Sequence, residues 1–298
     1  MILITGSQGQ LGRAVQEKAT RLGIAFRAPD RSALDVANAE ALDEFLEAAR
    51  AAGESFDCII NCAAYTQVDA AEAPAEAAKA YAANALAPWL LASTGIPILH
   101  VSTDYVFDGN STTPYKEDAP CRPVSVYGLT KRAGEAALLE SGALGAIVRT
   151  AWVYSARPST RNFFQTMKRL GSDPKRDKLT VVNDQRGAPT LAEDLAEALL
   201  TLYQKGAHLQ PMHILHFTNS GACTWFEFAR EIVRLTGGGV PVEPIPTSAY
   251  PTRASRPAYS VLSLDAIADR YGIRPRYWLD ALSAAVAESV DSQPLHRF

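Results

Sequence analysis

The first 22 residues constrain the fold of this chain most strongly. The apolar run Ile2-Leu3-Ile4-Thr5 leads into Gly6-Ser7-Gln8-Gly9-Gln10-Leu11-Gly12, and a helical pattern follows over Arg13–Leu22. Backbone N–H groups in such a turn can approach a pyrophosphate closely, and the N-terminus of the next helix attracts negative charge. The spacing G-x-x-G-x-x-G therefore predicts the opening of a dinucleotide-binding domain, although a glycine turn without a ligand could have the same sequence.

Strand and helix patterns alternate from this turn to about residue 150. Strands are predicted at 1–5, 25–28, 58–61, 96–102 and 146–149, with helices at 13–22, 39–52, 70–91 and 124–140. This alternation is typical of an α/β fold, and it predicts a Rossmann-type doubly wound parallel sheet over residues 1–150 with right-handed crossovers.

The pattern loosens after residue 150 and predicts a smaller C-terminal α/β domain over 151–298, some segments of which return to the first domain. This half contains a predicted strand, Leu179–Val182, and helices Leu191–Gln204 and Trp225–Thr236. Residues 168–178 and 241–257 are predicted as loops because they are rich in proline, glycine or charge. We expect this half to form the substrate side of a cleft.

Composition excludes several classes of function. With 298 residues, 47% hydrophobic, 20% charged and a net charge of -3, the chain shows no basic footprint for nucleic acid and no membrane span. Met1 opens directly into an apolar strand, so we expect a cytoplasmic protein. The spacing of the four cysteines and the isolated His213-x-x-His216 pair favour neither a disulfide framework nor a metal site.

The residues most suited to catalysis lie in the middle of the chain. A predicted buried strand ends at Ser102-Thr103-Asp104, where ligands bind in open α/β sheets, and the next helix carries Tyr127 and Lys131 four residues apart. An adjacent ammonium favours the phenolate form of a tyrosine, so we expect Lys131 to lower the pKa of Tyr127. Taken alone, a Y-x-x-x-K pair could also be a surface helix with a snorkelling lysine.

Cofactor choice depends on the residues after the second strand. Asp30 could accept a hydrogen bond from the ribose 2′-hydroxyl of NAD, whereas Arg27 and Arg31 could pair with the 2′-phosphate of NADP. All three could instead be solvated loop charges. We expect NADPH to be preferred modestly, with NADH also usable.

Motifs in both halves of the chain resemble the extended short-chain dehydrogenase/reductase family. They are T-G-S-Q-G-Q-L-G at 5–12, N-C-A-A-Y-T at 61–66, S-T-D-Y-V-F-D-G at 102–109, Y-G-L-T-K at 127–131, R-T-A-W-V-Y at 149–154, D-Q-R-G-A-P-T at 184–190 and S-R-P at 255–257. Within the family they are most similar to members that reduce the C4 keto group of dTDP-4-dehydro-L-rhamnose to give dTDP-L-rhamnose, a precursor of polysaccharides such as the O antigen of lipopolysaccharide. The resemblance covers nearly the whole chain, from Met1 to about Leu282.

The resemblance assigns roles to individual residues. Tyr127 would be the proton donor, Thr103 would help to stabilise the developing alkoxide, and Lys131 would hold the nicotinamide ribose and tune Tyr127. The cofactor would be bound by Gly6, Gly9, Gln10, Leu11, Gly12, Asp30, Arg31, Asp35, Val36, Ala63, Ala64, Tyr65, Thr66, Val101 and Lys131. The substrate would be bound by Thr103, Asp104, Trp152, Asn162 and Arg256. Arg256 would hold the diphosphate bidentately, although it could instead be a surface arginine that stiffens its loop.

Several alternatives remain open on the sequence. Some relatives bind Mg²⁺ between subunits, and Glu193 matches one ligand, but Ala287-Glu288-Ser289 is a poor match for a second; no metal is expected in the reaction. The chain could be a monomer or a homodimer. It could also be an epimerase or dehydratase of another nucleotide sugar, or a non-catalytic NADP-binding subunit similar to the regulatory subunit of methionine adenosyltransferase.

Overall fold

A computed structural model describes residues 1–158 and 160–291. Its main sheet has six parallel strands in the order β10-β5-β4-β3-β1-β2. These strands are β1 (Ile2–Thr5), β2 (Phe26–Arg27), β3 (Cys58–Asn61), β4 (Ile98–Thr103), β5 (Gly145–Thr150) and β10 (His213–His216). The predicted doubly wound parallel sheet is confirmed, and its continuous apolar strands reflect burial on both faces.

Helices cover the two faces of this sheet. The helices in the described residues are α1 (Gln10–Arg21), α2 (Ala39–Ala51), α3 (Pro74–Tyr81), α4 (Ala87–Ser93), α5 (Val126–Glu140), α6 (Phe163–Gly171), α7 (Ala192–Gln204), α8 (Trp225–Leu235), α9 (Asp265–Tyr271) and α10 (Trp278–Asp291). Ile2 and Ile4 pack with α1 and α7, whereas Leu3 packs with α2, α4 and α5. Alternation along β1 thus directs successive side chains into two separate cores.

A third core lies in the C-terminal half. It is formed by α6, α8 and α10 with short strands, and it includes the fully buried side chains of Phe164, Phe228 and Ile232. The short strands are β6 (Val153–Tyr154), β7 (Leu179–Val182), β8 (Arg186–Gly187), β9 (Thr190–Leu191), β11 (Cys223–Thr224) and β12 (Val242–Ile245). The first core draws on both halves of the chain, because α7 and β10 follow residue 150.

Two local predictions were wrong, and one strand was not predicted. Residues 168–171 belong to α6 rather than to a loop, because the Asn162 side chain caps the helix and Phe164 and Met167 are buried beneath it. The 241–257 segment contains β12 and a 3₁₀ turn at Thr247–Ala249. Pro244 is tolerated because β12 pairs with one neighbour, β7. The segment around His213 is the edge strand β10, which the sequence pattern did not indicate.

In the described part of the chain no helix is both long and apolar enough to cross a bilayer.

Candidate active site

A cleft of about 550 Å³ opens at the carboxyl ends of β1, β3, β4 and β5. It brings together most of the residues selected from the sequence. The predicted residues that line it are Gly9, Gln10, Leu11, Gly12, Ala64, Thr66, Val101, Thr103, Asp104, Tyr127, Lys131 and Trp152. Tyr105, Arg161 and Trp225 also line the cleft and were not predicted.

The glycine turn at the cleft floor cannot hold larger side chains. Gly6 has a φ of +66°, and a Cβ there would lie 2.6 Å from the backbone of Ala63. A Cβ on Gly12 would lie 2.2 Å from the carbonyl oxygen of Gly6. The turn therefore packs tightly on the residues after β3 and leaves Gly9 and Gln10 facing the cleft, as a pyrophosphate site requires.

Thr103 and Asp104 lie where β4 ends. The Thr103 hydroxyl donates to Asp104 Oδ1 at 3.1 Å and accepts from the Tyr105 N–H at 3.2 Å. Asp104 is buried, and its Oδ2 has no partner in the described part of the chain. Burial raises the pKa of Asp104 to about 6, against hydrogen bonds from Ser260 and Thr103 that lower it. Asp104 lines the cleft, and a buried acceptor without a partner at this position is suited to a sugar hydroxyl.

Tyr127 lies one turn before Lys131 on α5, which Ser125 caps by accepting from the Gly128 N–H. Burial raises the pKa of Tyr127 to about 12, although the Thr103 hydroxyl lowers it. The prediction that this pKa is lowered below its usual value was wrong. Lys131 instead donates to the Val101 carbonyl at 2.7 Å. At neutral pH Tyr127 is therefore a protonated phenol, the form that can donate a proton.

Trp152 has a strained backbone at the cleft wall. Its φ of 49° lies in the left-handed region, which a bulky residue rarely adopts. Its indole stacks on Trp225 at 3.6 Å, and Gly187 provides the space behind it, since a Cβ there would lie 2.6 Å from the Trp152 ring. Trp225 was not predicted, because an aromatic residue at the start of a helix usually belongs to the hydrophobic core.

The residues predicted to meet the adenosine lie outside the cleft lining. Asp30 accepts from the backbone N–H groups of Ser32 and Ala33 and thus shapes its own turn. Arg31 is exposed and pairs with Asp35 at 3.3 Å. Arg27, the other candidate cation, is paired with Glu54.

Four further predicted residues are placed behind the cleft rather than in its lining. Val36 packs on the core beneath α2. Gly6 and Ala63 form the contact described above, and the Tyr65 hydroxyl donates to Glu76. The backbone of Tyr65 is held by Asn84, whose side chain exchanges hydrogen bonds with the Tyr65 N–H and C=O and also donates to Thr130 on α5. Asn84 was not predicted as a site residue, because a single asparagine in an alanine-rich helix gives no local signal.

The two remaining predicted substrate residues make protein contacts in this structure. Asn162 donates to Gln10 Oε1 at 3.0 Å and so joins the glycine turn to the start of α6. Arg256 forms a bidentate pair with Asp69, at 2.6 and 3.2 Å. Contact between Arg256 and a diphosphate stays a prediction, and it would require the guanidinium to leave or share Asp69.

Glu193, the carboxylate that the resemblance linked to Mg²⁺, does not fit a cation site. The guanidinium of Arg157 lies between Glu17 and Glu193 and pairs with both. A positive group already neutralises these carboxylates and occupies the space between them, so a divalent ion would have to displace it. Within residues 1–158 and 160–291, no group of three or more potential ligands has a metal-binding arrangement.

A doubly wound sheet with a glycine turn and a Thr/Tyr/Lys cluster at its carboxyl edge defines a short-chain dehydrogenase/reductase of the extended type. A profile of the family described as RmlD substrate binding domain matches residues 1–290, so the chain belongs to that family. The resemblance inferred from the motifs is thus confirmed.

Named relatives agree with this placement. The dTDP-4-dehydrorhamnose reductase of Streptomyces griseus is 41% identical over 289 residues, which cover 94% of this chain and 91% of the relative. A crystal structure of a dTDP-4-dehydrorhamnose reductase from Clostridium acetobutylicum is similar with a TM-score of 0.87 and 37% identity, covering 96% of this chain and 98% of that one. The dTDP-4-dehydrorhamnose reductase from Bacillus anthracis, solved in complex with NADP, has a TM-score of 0.86 and 33% identity over 96% and 98% of the two chains.

Proposed function

We propose that this protein is an oxidoreductase that reduces the C4 keto group of dTDP-4-dehydro-L-rhamnose with NADPH, and less readily with NADH, to give dTDP-L-rhamnose. One observation carries the proposal: the cleft places Thr103, Tyr127 and Lys131 beside the glycine turn of a dinucleotide-binding sheet. The names of the relatives supply the substrate.

The residues of the cleft fit a reduced nicotinamide cofactor, because the glycine turn leads directly into the N-terminus of α1, where the backbone N–H groups of the first helical turn can meet a pyrophosphate. Such a cofactor supplies hydride when it is bound. The Tyr127 hydroxyl would donate a hydrogen bond to the keto oxygen, where negative charge develops, and so would the Thr103 hydroxyl once it turns away from Asp104 Oδ1. Tyr127 then transfers its proton, since the alkoxide of a secondary alcohol is a far stronger base than a phenolate. The Lys131 ammonium favours the phenolate that remains.

Incubation of the purified protein with NADPH and dTDP-4-dehydro-L-rhamnose tests the proposal. We expect NADPH absorbance to fall in proportion to the dTDP-L-rhamnose formed. An epimerase or dehydratase would convert a nucleotide sugar without net oxidation of NADPH, and a non-catalytic subunit would bind NADPH and leave both reactants unchanged. Either result would replace the proposed reaction.

The alkaline limit of the reaction should come from Lys131. Burial lowers the pKa of Lys131 to about 8, against Glu135 and Cys62, which raise it. Because the ammonium form favours the Tyr127 phenolate, kcat/KM should be constant below this pKa and fall about tenfold for each pH unit above it. Tyr127 stays protonated throughout this range, since its own pKa is about 12. A profile of kcat/KM that stays flat to about pH 10 would contradict this assignment.

Cofactor preference should depend on Arg31, the more exposed of the two candidate cations. A charge-assisted contact to the 2′-phosphate contributes about 1.5 kcal/mol, so Arg31→Ala should raise KM for NADPH about tenfold and leave KM for NADH nearly unchanged. Arg27→Ala is the comparison variant, because Arg27 pairs with Glu54 and also stacks on the Phe45 ring, so its replacement should change KM for NADPH less. If Arg31→Ala raises KM equally for NADPH and NADH, Arg31 does not contact the 2′-phosphate.

The same reaction suggests where the protein works. NADPH and nucleotide sugars are cytoplasmic metabolites, so the proposal includes a cytoplasmic location and a small-molecule substrate rather than nucleic acid or membrane. The product would supply rhamnose to cell-surface polysaccharides, for example an O antigen. A monomer and a homodimer are both compatible with this role, since each cleft is formed within one chain.

A further inference from the structure

A row of buried polar side chains lies beneath α5. Thr5, Asn61 and His100 are direct neighbours on β1, β3 and β4, so their side chains point to the same face of the sheet. The same strands otherwise present apolar side chains on this face, in a core that includes Leu138 of α5. None of the three polar residues is more than 2% exposed, and Lys131, on the helix above them, is 1% exposed. Such burial is unfavourable unless every polar group is paired.

The orientation of Asn61 is fixed by its neighbours. Its Oδ1 accepts from the Thr5 hydroxyl at 2.6 Å and from the Ala63 N–H at 3.1 Å. A backbone N–H can only donate, so the amide cannot be reversed, and Asn61 Nδ2 must face His100 Nδ1, which lies 2.9 Å away. Nδ2 therefore donates, and His100 Nδ1 must accept.

This contact determines the tautomer of His100. Burial lowers the pKa of His100 well below its ordinary value, so the ring is neutral and its one proton is on Nε2. Nε2 lies 3.3 Å from Lys131 Nζ. The ring thus directs an N–H at the amine, and only an uncharged amine has a lone pair that can accept it.

We propose that His100 is a positioning residue of the reaction, which acts through Lys131 by stabilising the uncharged amine and so preparing the ammonium to release a proton. After Tyr127 has given its proton to the substrate oxygen, Lys131 passes one proton to the Tyr127 phenolate. The amine then accepts a hydrogen bond from the His100 Nε2–H, which keeps its proton, and the amine is reprotonated by water in the open cleft. The balance is one phenolate and one ammonium converted into one phenol and one amine, with water as the final proton source.

The other groups around Lys131 set the background for this effect. Glu135, one turn later on α5, and Cys62, after β3, both favour the ammonium, and Tyr127 lies one turn earlier. These groups face Lys131 from its own helix and from the end of β3, whereas His100 approaches from β4. Its contribution can therefore be removed separately. The role in turnover rests on the proposed reductase activity, whereas the tautomer and the titration of Lys131 do not.

The first experiment compares His100→Phe with His208→Phe. Phenylalanine keeps a planar ring in the same space but has no N–H to stabilise the uncharged amine. The pKa of Lys131, and with it the pH above which kcat/KM falls, should therefore rise by about one unit. Turnover should fall about tenfold because proton return is slower. His208 is buried against Tyr203, outside the cleft lining, and its replacement should leave the pH dependence of kcat/KM unchanged. If a folded His100→Phe protein shows the same pH dependence of kcat/KM as the unchanged protein, the proposal is overturned.

The second experiment uses the unchanged protein and needs no substrate. Nitrogen chemical shifts of the histidine rings report which nitrogen carries the proton, and the Lys131 side-chain shifts report its titration. We expect His100 to be protonated on Nε2 from about pH 5.5 to pH 9 and Lys131 to titrate near pH 8. A proton on Nδ1 overturns the inference even if His100→Phe does not fold. If the unchanged protein shows the expected tautomer but no reductase activity, only the proposed reaction is refuted.

Discussion

Replacement of Tyr127 by phenylalanine should reduce turnover by a factor of about 10² to 10⁴, the usual contribution of a positioned general acid. The phenol donates the proton in the proposed mechanism, and its pKa of about 12 keeps the proton in place until an alkoxide forms. The ring itself should be retained, because it packs edge-on against Tyr105 at 5.5 Å. Affinity for NADPH and the midpoint of thermal unfolding should therefore change little.

A matched control separates the loss of the proton from the loss of a hydroxyl in general. Tyr271→Phe removes a hydroxyl that is 2.9 Å from His213, outside the cleft lining, and should leave turnover unchanged. Single-turnover measurements with Tyr127→Phe would show whether the chemical step is the one that slows. Near-normal turnover would mean that another group, such as Asp104 with its unpartnered oxygen, supplies the proton.

The main sheet could be predicted because each of its inner strands carries its own signal. The side chains of β1, β3 and β5 are buried throughout, and such strands appear as short apolar runs between helical patterns. The edge strand β10 gave no such signal. It begins and ends in histidine, and its place beside β5 depends on a pairing between distant parts of the chain.

The same distinction, between local signals and contacts of distant segments, determines which features of the active site could be predicted. Tyr127 and Lys131 are one helical turn apart, so their shared face follows from local geometry. The pKa of Tyr127 does not follow from local geometry, because it depends on burial of the ring in the folded chain and on the Val101 carbonyl to which Lys131 donates. Likewise, the row of Thr5, Asn61 and His100 depends on strand register, which no local pattern in these residues specifies.

A second large effect is expected in stability, from the buried ion pair between Arg149 and Glu135. Arg149 on β5 is 1% exposed and Glu135 on α5 is fully buried. The guanidinium donates to both carboxylate oxygens at 2.8 Å. Glu135→Leu would leave the guanidinium buried without its counter-charge, which should lower the free energy of unfolding by about 3–5 kcal/mol. Denaturant unfolding measures this change.

The double variant Glu135→Leu/Arg149→Met tests the cause. If the destabilisation comes from an unpaired charge rather than from altered packing, removing both charges should recover most of it, since a buried ion pair is often no more stabilising than apolar residues of similar volume. An equally unstable double variant would contradict this explanation. Glu135 also raises the pKa of Lys131. In both variants kcat/KM should therefore begin to fall at a lower pH. The ion pair that anchors α5 to the sheet would in this way also adjust the pKa of the active-site lysine.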